Sequence, residues 1–262
     1  MRLAVFGLGR MGAPIARTLA ERWDVVAYDP VHAPGDPVAL AAGVDALVTV
    51  LPGAAEVRRL GAVLAALRPD ALWLDLTSGD PRVYAELGHP RTVGAPMAGG
   101  PGRPLTFFVG GADALADELL DALGTRDPIG PGAGDGQTAK LITNLLWFGQ
   151  VVAVTEALLL GQALGLDPRD LRRTLATGAA SSAFVDDYLD RLLDGDYAAS
   201  FGLDRVVEEL DTLASLAHAE GVPFELSQTV VRLHREALER FGAVDGEMLA
   251  AKLLQERAAR RA

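Results

Sequence analysis

The stretch AVFGLGRMGAPIA, residues 4–16, runs from an apolar segment through a glycine-rich turn into a helical pattern. Gly7, Gly9 and Gly12 stand in G-x-G-x-x-G spacing. The first glycine permits a tight turn, the second lets the backbone approach a pyrophosphate, and the third lets helix and strand pack closely. The helix that follows offers free N–H groups and a positive dipole to phosphates. The stretch therefore predicts a dinucleotide-binding strand, turn and helix.

An acidic residue stands where such a unit needs one. Asp29 ends the second apolar run, about 20 residues beyond the glycine turn. A carboxylate at this place can accept hydrogen bonds from the adenosine ribose hydroxyls, and it would repel a 2′-phosphate. No arginine lies in the next several residues, although His32, if protonated, could soften the preference. We therefore expect NAD as cofactor, in preference to NADP.

The first half of the chain alternates between strand and helix patterns. Apolar runs occupy residues 3–6, 25–28, 46–51, 72–76, 92–95 and 106–109, and helical patterns occupy residues 11–21, 55–67, 81–87 and 112–123. Buried strands that alternate with helices favour a parallel sheet covered on both faces. The segment between the second and third runs has room for only one short helix.

The second half contains helical patterns only. They fill residues 136–164, 168–176, 184–193, 203–220, 224–240 and 246–260, with glycine and proline turns between them. The predicted fold class is therefore α/β, with a Rossmann-type parallel sheet domain over residues 1–133. An all-α domain follows over residues 134–262 and begins with a long interdomain helix. Ligand sites favour such boundaries.

The long helix carries a lysine and an amide on one face of an otherwise apolar segment. Lys140 and Asn144 are four residues apart, which places them on the same side of a helix. An ammonium near a carbonyl stabilises a developing alkoxide and supplies its proton. Asn144 can donate and accept hydrogen bonds without titrating. Alternatively, the lysine stem could lie along apolar surface while its ammonium reaches water.

Composition narrows the class of protein. The 262 residues carry a formal charge of −11, so the chain has no electrostatic reason to bind nucleic acid. There is no cysteine, and the four histidines lack metal-ligand spacing, so we expect no disulfide and no metal. The N-terminus does not resemble a signal peptide, and polar residues interrupt the apolar segment 141–165. We expect a soluble cytoplasmic protein that acts on a small molecule and binds no membrane.

Motifs along most of the chain resemble the β-hydroxyacid dehydrogenase family, which includes 3-hydroxyisobutyrate dehydrogenase and tartronate semialdehyde reductase. The stretches that carry this resemblance are GLGRMGAPIARTLA (7–20), VTVLPGAAEV (48–57), LDLTSGDP (74–81), APMAGG (95–100), GAGDGQTAKLITN (132–144) and FGAVDGEMLAAKLL (241–254). They occur in the family's order and on the predicted elements, which is more specific than the glycine turn alone.

The resemblance implies an NAD(P)-dependent oxidoreductase that transfers a hydride between nicotinamide and a small hydroxy or carbonyl compound. Lys140 would be the general acid and base, and Asn144 would position the reacting group. Backbone at Ala98, Gly99 and Gly100 would hold a substrate carboxylate. The implied cofactor-binding residues are Gly7, Leu8, Gly9, Arg10, Met11, Gly12, Asp29, Leu51, Pro52 and Ser78. A homodimer or homotetramer built on the helical domains is also implied.

Four features depart from the family. The segment 30–50 is short, Ala98 replaces a serine, and the loop GGPGRPLTFFVGG (99–111) is short and carries Arg103. Counting from Phe201, Glu208 and Glu209 stand where the family has a lysine and an aspartate. If Glu208 faces the substrate, it would repel a carboxylate, so we expect neutral or cationic carbonyl compounds to be preferred over simple 3-hydroxy acids.

Two alternative functions stay open at this point. One is a dinucleotide-binding protein with little catalysis, which the four departures motivate, because fold and cofactor site do not establish function. The other is an imine reductase-like enzyme of similar architecture. Imine reductases usually lack the lysine, so Lys140 argues against this second alternative.

Overall fold

The computed structural model describes residues 1–99 and 104–260, and the statements that follow concern these residues. Gly100 and Arg103, named above for the substrate loop, lie outside the described residues. The chain forms two compact units, Met1–Leu141 and Ile142–Ala262. The predicted division at 133/134 would assign the whole long helix to the second part. Its first turns instead belong to the first unit, because they hydrogen-bond to loops of the sheet.

The first unit is built on a sheet of eight strands. They are β1 (Arg2–Phe6), β2 (Asp24–Tyr28), β3 (Ala46–Thr49), β4 (Leu72–Asp75), β5 (Thr92–Gly94), β6 (Met97–Ala98), β7 (Thr106–Gly110) and β8 (Thr125–Gly130). Their order is β2-β1-β3-β4-β5-β7-β6, with β8 also paired to β7. The first five strands in this order run parallel, as predicted. β7 runs antiparallel to β5 and β6, so the sheet is mixed at this side and not wholly parallel.

The sequence does not predict two of these strands, because their patterns are weak. β6 has only two residues, too few to show any periodicity. β8 has the sequence TRDPIG, which is mostly exposed and contains Pro128. Proline cannot donate a ladder hydrogen bond and is confined to edges or strand ends, so such a segment gives no strand signal. β8 nevertheless pairs in parallel with β7.

Helices cover both faces of the sheet. They are α1 (Gly12–Ala20), α2 (Pro37–Ala41), α3 (Ala54–Arg58), α4 (Gly61–Ala66), α5 (Val83–Leu87) and α6 (Ala114–Asp121). Leu3 and Val5 of β1 face a core completed by α1 and α6. Ala4 and Phe6 face the opposite core, completed by α3, α4 and α5. This alternation gives the predicted doubly covered sheet, and α2 is the single short helix expected between β2 and β3.

The second unit is helical. α7 (Asp135–Ala163) continues into it and is followed by α8 (Pro168–Thr177), α9 (Ala183–Asp187), α10 (Leu189–Leu193), α11 (Leu203–Ala219), α12 (Glu225–Phe241) and α13 (Leu249–Ala259). Its core joins Val151 and Leu158 of α7 to Phe184, Leu189 and Met248. The predicted helix 184–193 is two short helices. By length and composition alone α7 could also cross a membrane, and 33 % of its most apolar window is buried.

A buried histidine makes the stability of the second unit depend on pH. His234 on α12 is fully buried beside the ring of Phe148. Its Nδ1 lies 2.9 Å from the Val230 carbonyl oxygen, whereas Nε2 has no hydrogen-bond partner among the described residues. Burial lowers the pKa of His234 from 6.5 to about 4, and the hydrogen bond to Val230 opposes this only partly. The folded unit therefore keeps this imidazole neutral.

We predict that unfolding becomes easier as the pH falls from about 6.5 to about 4. In this window the unfolded chain binds a proton at His234 and the folded chain does not, so the free energy of unfolding falls by up to about 3 kcal/mol. Urea unfolding at several pH values should show this slope in the wild type and a smaller slope in His234→Gln. His218→Gln, at an exposed position of α11, serves as the control. Equal slopes for wild type and His234→Gln would contradict the prediction.

Candidate active site

The glycine turn after β1 is shaped by packing at two positions and left open at the third. Gly7 has φ +93°, and a Cβ on it would collide with the Val50 carbonyl oxygen. A Cβ on Gly12 would collide with the carbonyl oxygen of Gly7. A Cβ on Gly9 would meet no atom within 4 Å. Gly9 is therefore not required by the fold, and the open surface beside it fits the close approach of a ligand to the backbone.

The turn lies at the point where the sheet order reverses. β1 stands between β2 and β3, so the connections that follow β1 and β2 cover opposite parts of the sheet. In open α/β sheets, ligands bind in the crevice outside the carboxyl ends of the strands at such a point. α1 begins at Gly12, so its N-terminal N–H groups face the same crevice. The position and the donors both suit a phosphate group.

Asp29 at the end of β2 is held directly beside this turn. Its Oδ2 accepts a hydrogen bond from the Leu8 N–H at 2.8 Å, and its Oδ1 accepts from Val31 N–H at 2.8 Å and His32 N–H at 2.9 Å. Partial burial raises the pKa of Asp29, but these backbone hydrogen bonds outweigh it and the net pKa is lowered. The carboxylate is therefore a fixed anion. A carboxylate offers about four acceptor sites, so one remains for a ribose hydroxyl.

The loops after β3 and β4 are joined to each other. The Leu51 N–H donates to Thr77 Oγ1 at 3.0 Å, which places Leu51 and Pro52 beside the loop that contains Ser78. That loop is anchored at its far end by the buried Asp80, which accepts hydrogen bonds from the side chains of Arg58 and Arg82. Leu51, Pro52 and Ser78 thus lie at the same carboxyl edge as the glycine turn.

A buried polar network lies beneath these loops. Asp75, at the end of β4, accepts from Thr49 Oγ1 at 2.7 Å, from Thr77 N–H at 3.1 Å and from Tyr84 Oη at 3.0 Å. Trp73 Nε1 donates in turn to Thr49 Oγ1 at 3.1 Å. Burial raises the pKa of Asp75, and the hydrogen bonds act in the opposite direction. Burial and the adjacent Asp75 raise the pKa of Tyr84, so its hydroxyl stays protonated and donates.

Gln137 connects this network to α7. Its Nε2 donates to Tyr84 Oη at 2.7 Å and to the Thr77 carbonyl oxygen, and its Oε1 accepts from the Gly79 N–H at 3.0 Å. Lys140 follows Gln137 within one turn of the same helix and is half-buried. Lys140 thus stands three residues beyond the side chain that holds the loop carrying Ser78.

In the second unit, Asn144 is held by a glutamate. Asn144 Nδ2 donates to Glu209 Oε2 at 2.7 Å, and Glu209 is buried on α11. Glu208 instead accepts from Arg205 Nη1 at 2.7 Å. Glu209, and not Glu208, is thus the carboxylate in contact with the predicted site residue. A substrate role for Glu208 stays a prediction, and Arg205 offsets its negative charge.

The predicted substrate loop lies on another part of the sheet. Ala98 ends β6, which is three strands away from β4, and Gly99 follows it with φ +104°. A Cβ on Gly99 would approach the Pro104 carbonyl oxygen to 2.5 Å, so only glycine suits this turn. Gly100 is not among the described residues. Contact of Ala98 and Gly99 with a substrate stays a prediction.

Several residues of the site were not anticipated from the sequence. Gln137 stands three residues before Lys140, and Glu209 stands beside Glu208, so both lay within stretches already singled out. Tyr84 gave no signal, because the residue that it contacts, Gln137, is 53 positions away in the chain. Asp75 lies in LDLTSGDP, and only the fold shows that it is buried.

Known proteins share both the sequence pattern and the fold. Residues 134–254 match the family described as NAD-binding of NADP-dependent 3-hydroxyisobutyrate dehydrogenase. The mitochondrial 3-hydroxyisobutyrate dehydrogenase of Rattus norvegicus is 26 % identical over 266 residues, which cover 87 % of this chain and 79 % of the rat protein.

Two solved structures share the fold of this chain to different degrees. The 3-hydroxyisobutyrate dehydrogenase of Mycobacterium tuberculosis, solved with L-serine, matches with a TM-score of 0.84 at 24 % identity, covering 96 % of this chain and 98 % of that one. An imine reductase from Bacillus cereus BAG3X2 matches with a TM-score of 0.57 at 17 % identity, covering 97 % and 99 %. The fold is therefore more similar to that of the dehydrogenase.

The glycine turn yields a test that separates folding from binding. We predict that Gly9→Ala leaves the free energy of unfolding within about 0.5 kcal/mol of wild type, because a Cβ there meets no atom. The same variant should bind NADH about tenfold more weakly, since the methyl group occupies the approach to the backbone. Denaturant unfolding and fluorescence titration provide the two measurements.

Gly12→Ala is the matched control for that prediction. Its Cβ collides with backbone, so we expect a loss of about 1–3 kcal/mol in stability. A Gly9→Ala protein that binds NADH as tightly as wild type would show that the dinucleotide does not lie against this turn.

Proposed function

We propose that Lys140 is the general acid and base of this protein. The premise is that the chain belongs to the 3-hydroxyisobutyrate dehydrogenase (β-hydroxyacid dehydrogenase) family and is an NAD(P)-dependent dehydrogenase acting on CH–OH groups. The observation that carries this proposal is the position of Lys140. It stands one turn beyond Gln137, whose amide is bonded to both peptide groups that flank Ser78. The helical turn that carries Lys140 is thereby held at the edge of the sheet where the proposed cofactor-binding residues lie.

The residues at this edge fit a dinucleotide. Gly9 leaves the backbone open, α1 directs N–H groups outward, and Asp29 has an acceptor site left for a ribose. Residues 7–12 would hold the pyrophosphate, Asp29 the adenosine ribose, and Leu51, Pro52 and Ser78 the remainder. The bound cofactor supplies or takes up the hydride.

The proton of the reaction is donated and accepted by Lys140. As the substrate carbonyl is reduced, its oxygen gains negative charge, and an ammonium at Lys140 stabilises that charge and donates the proton. In the oxidising direction the neutral amine accepts the proton from the alcohol. Asn144 has one N–H engaged by Glu209, which leaves its second N–H and its amide oxygen for the reacting group.

The substrate is a small hydroxy or carbonyl compound. The carboxylate of Glu209 is buried and contacts Asn144, the residue proposed to position the reacting group. The preference for neutral or cationic carbonyl compounds over simple 3-hydroxy acids is a separate proposal, and it concerns the acidic pair Glu208 and Glu209 on α11.

We predict that Lys140→Ala lowers kcat by about 10²–10⁴-fold while NADH binding is nearly unchanged, because only the general acid is lost. The measurement is NADH consumption over a panel that pairs 3-hydroxyisobutyrate and glycerate with uncharged and amine-bearing analogues. Lys252→Ala is the control, since Lys252 is the other lysine of the chain and its Nζ lies over the rings of Tyr197 and Phe241. Wild-type kcat in Lys140→Ala would refute the role of the lysine.

The panel also distinguishes the two alternative functions. A dinucleotide-binding protein with little catalysis would bind NADH and turn over no compound. An imine reductase-like enzyme would reduce imines and tolerate the loss of Lys140. The presence of Lys140 and the greater similarity of fold to a 3-hydroxyisobutyrate dehydrogenase favour the dehydrogenase.

The cofactor preference rests on the charge of Asp29. The matched family description names both NAD and NADP, so the preference is a separate proposal. Backbone hydrogen bonds keep Asp29 ionised, and no lysine or arginine occurs between residues 30 and 57 to receive a 2′-phosphate. Two like charges about 4 Å apart near a surface repel by ~4 kcal/mol before screening, and a third of that is about tenfold in affinity. NAD is therefore preferred over NADP.

We predict that the wild type binds NADH about tenfold more tightly than NADPH, and that Asp29→Ala narrows this ratio. Asp29 also holds the backbone of Leu8, so the variant should weaken both cofactors. This loss of affinity is common to NADH and NADPH, so it cancels in the ratio of their dissociation constants. The ratio therefore reports the effect of the charge of Asp29. Equal affinities in the wild type, or an unchanged ratio in the variant, would refute the preference.

An apolar stripe on α7 supports a homo-oligomer. Ile142, Leu146 and Leu160 are 51 %, 64 % and 62 % exposed, and Leu164, one residue beyond the end of α7, is 73 % exposed. Their spacing, completed by small residues at 149, 153 and 157, follows one face of the helix. Contiguous exposed apolar surface usually marks an interaction site. A membrane span would be apolar on all sides, whereas another face of α7 places Asn144 against Glu209. We infer a homodimer or homotetramer joined through this stripe.

We predict that light scattering at micromolar concentration finds a dimer or tetramer in the wild type. The double variant Leu146→Glu/Leu160→Glu should be a monomer, because two charges cannot be buried at the interface without partners. Leu226→Glu is the control, since Leu226 is also exposed, at 78 %, but lies on α12. A monomeric wild type would contradict the inference.

A further inference from the structure

We propose that Gln137 and Tyr84 are positioning residues, whose hydrogen bonds fix the loop of residues 77–79 against the first turns of α7 and so set the place of Lys140 relative to the bound cofactor. Among the described residues, the hydrogen bonds of the Gln137 side chain go to Thr77, Gly79 and Tyr84, and none goes to the glycine turn or to Asp29. It acts on the reaction through the loop and through Lys140. The inference rests on the proposed function and adds residues that the sequence did not identify.

Gln137 holds the loop on both sides of Ser78. Its Nε2 donates to the carbonyl oxygen of Thr77, and its Oε1 accepts from the N–H of Gly79 at 3.0 Å. One side-chain amide thus pairs with two consecutive peptide groups, as a neighbouring strand would. Because Gln137 is buried, loss of these bonds would leave the loop's peptide groups without partners, at a cost well above that of an exposed hydrogen bond.

Asp75 fixes which way this amide points. Tyr84 donates its single O–H proton to Asp75 Oδ2, at 3.0 Å. The lone pairs of the same hydroxyl then require a donor, and Gln137 Nε2 supplies it at 2.7 Å. Thr77 O and Gly79 N–H impose the same orientation independently. Every polar group of Gln137 is therefore specified by at least one partner whose role cannot reverse.

The start of α7 is fitted closely to the sheet at this point. A Cβ on Gly136 would collide with the Phe108 carbonyl oxygen and would lie 2.8 Å from the Gly94 carbonyl oxygen. A Cβ on Gly94 would lie 2.7 Å from the Tyr84 hydroxyl. These glycines let the helix approach until the Gln137 side chain reaches Tyr84 and the loop. The packing brings α7 against the sheet, and the hydrogen bonds of Gln137 fix its position relative to the loop of residues 77–79.

A small shift at Gln137 is transmitted to Lys140. Lys140 lies three residues further along one continuous helix, so a movement of the first turn moves the amine with it. Misplacement of a reacting group by about 1 Å costs about 10²-fold in rate. A residue that never contacts substrate can therefore control turnover here.

The test uses Gln137→Met, which keeps the length of the side chain and removes its hydrogen bonds. Amide hydrogen exchange at Gly79 should become at least about tenfold faster, whereas exchange at Leu76, whose N–H donates to Thr49 O at 2.9 Å, should stay the same. NADH should bind more weakly and kcat should fall about tenfold to a hundredfold. The primary isotope effect on kcat with 4-deuterated NADH should rise, since positioning for hydride transfer is impaired.

Tyr84→Phe removes only one hydroxyl and carries the test if Gln137→Met does not fold. It should change the same readouts in the same direction by a smaller factor. In the double variant, NADH affinity, kcat and the isotope effect should be no worse than in Gln137→Met alone, because Tyr84 acts on the loop through Gln137. Its stability should be lower, because Asp75 also loses the hydrogen bond from Tyr84. Gln162→Met, at an exposed position of α7, is the control and should resemble wild type.

The outcomes separate this inference from the proposed function. A lower melting temperature in Gln137→Met with unchanged Gly79 exchange, NADH affinity, kcat and isotope effect would show a merely structural residue and overturn the inference. If the wild type turned over no carbonyl compound, the proposed function would fail. Faster Gly79 exchange and weaker NADH binding in the variant would then still support the positioning role toward the cofactor.

Discussion

The hydrogen bonds to the buried side chain of Asp75 hold together the carboxyl edge of the sheet. Asp75 accepts one from Thr49 on the neighbouring strand, one from Thr77 in the loop that follows β4, and one from Tyr84 on α5. A carboxylate taken out of water without such donors would cost several kcal/mol, so these elements must assemble together around it. Tyr84 then orients Gln137, and Gln137 joins the start of α7 to the same edge. The residues proposed to bind the cofactor and the first turns of α7, with Lys140, are thus held by one hydrogen-bonded network.

The glycines of this edge divide between packing and binding. Gly7, Gly12, Gly94 and Gly136 allow backbone segments to approach where a Cβ would collide. Gly9 makes no such contact, and its lack of a side chain leaves open surface instead. The same residue type therefore serves the fold at most positions and the proposed ligand at one. This difference explains why a G-x-G-x-x-G pattern alone is weak evidence and becomes strong when each glycine can be assigned a separate reason.

Strongly periodic segments could be predicted from the sequence, and long-range polar contacts could not. The five parallel strands and the helices 136–164, 203–220 and 224–240 follow from hydrophobic patterns that depend only on local sequence. β8 escaped prediction because Pro128 and exposed residues hide an edge strand. The partners Tyr84 and Gln137 meet only because the fold brings α5 to the start of α7. For the same reason the choice between Glu208 and Glu209 needed the structure, since adjacent residues on a helix point about 100° apart.

The central claim is that one edge of the sheet holds the dinucleotide and presents Lys140 to its reactive end. The most direct measurement is a crystal structure of the protein with NADH and a substrate analogue. The account predicts a pyrophosphate against Gly9, an adenosine ribose on Asp29, a nicotinamide beside residues 77–79, and electron density for the analogue between the nicotinamide and Lys140. A dinucleotide bound elsewhere, or a nicotinamide whose reactive face points away from Lys140, would contradict it.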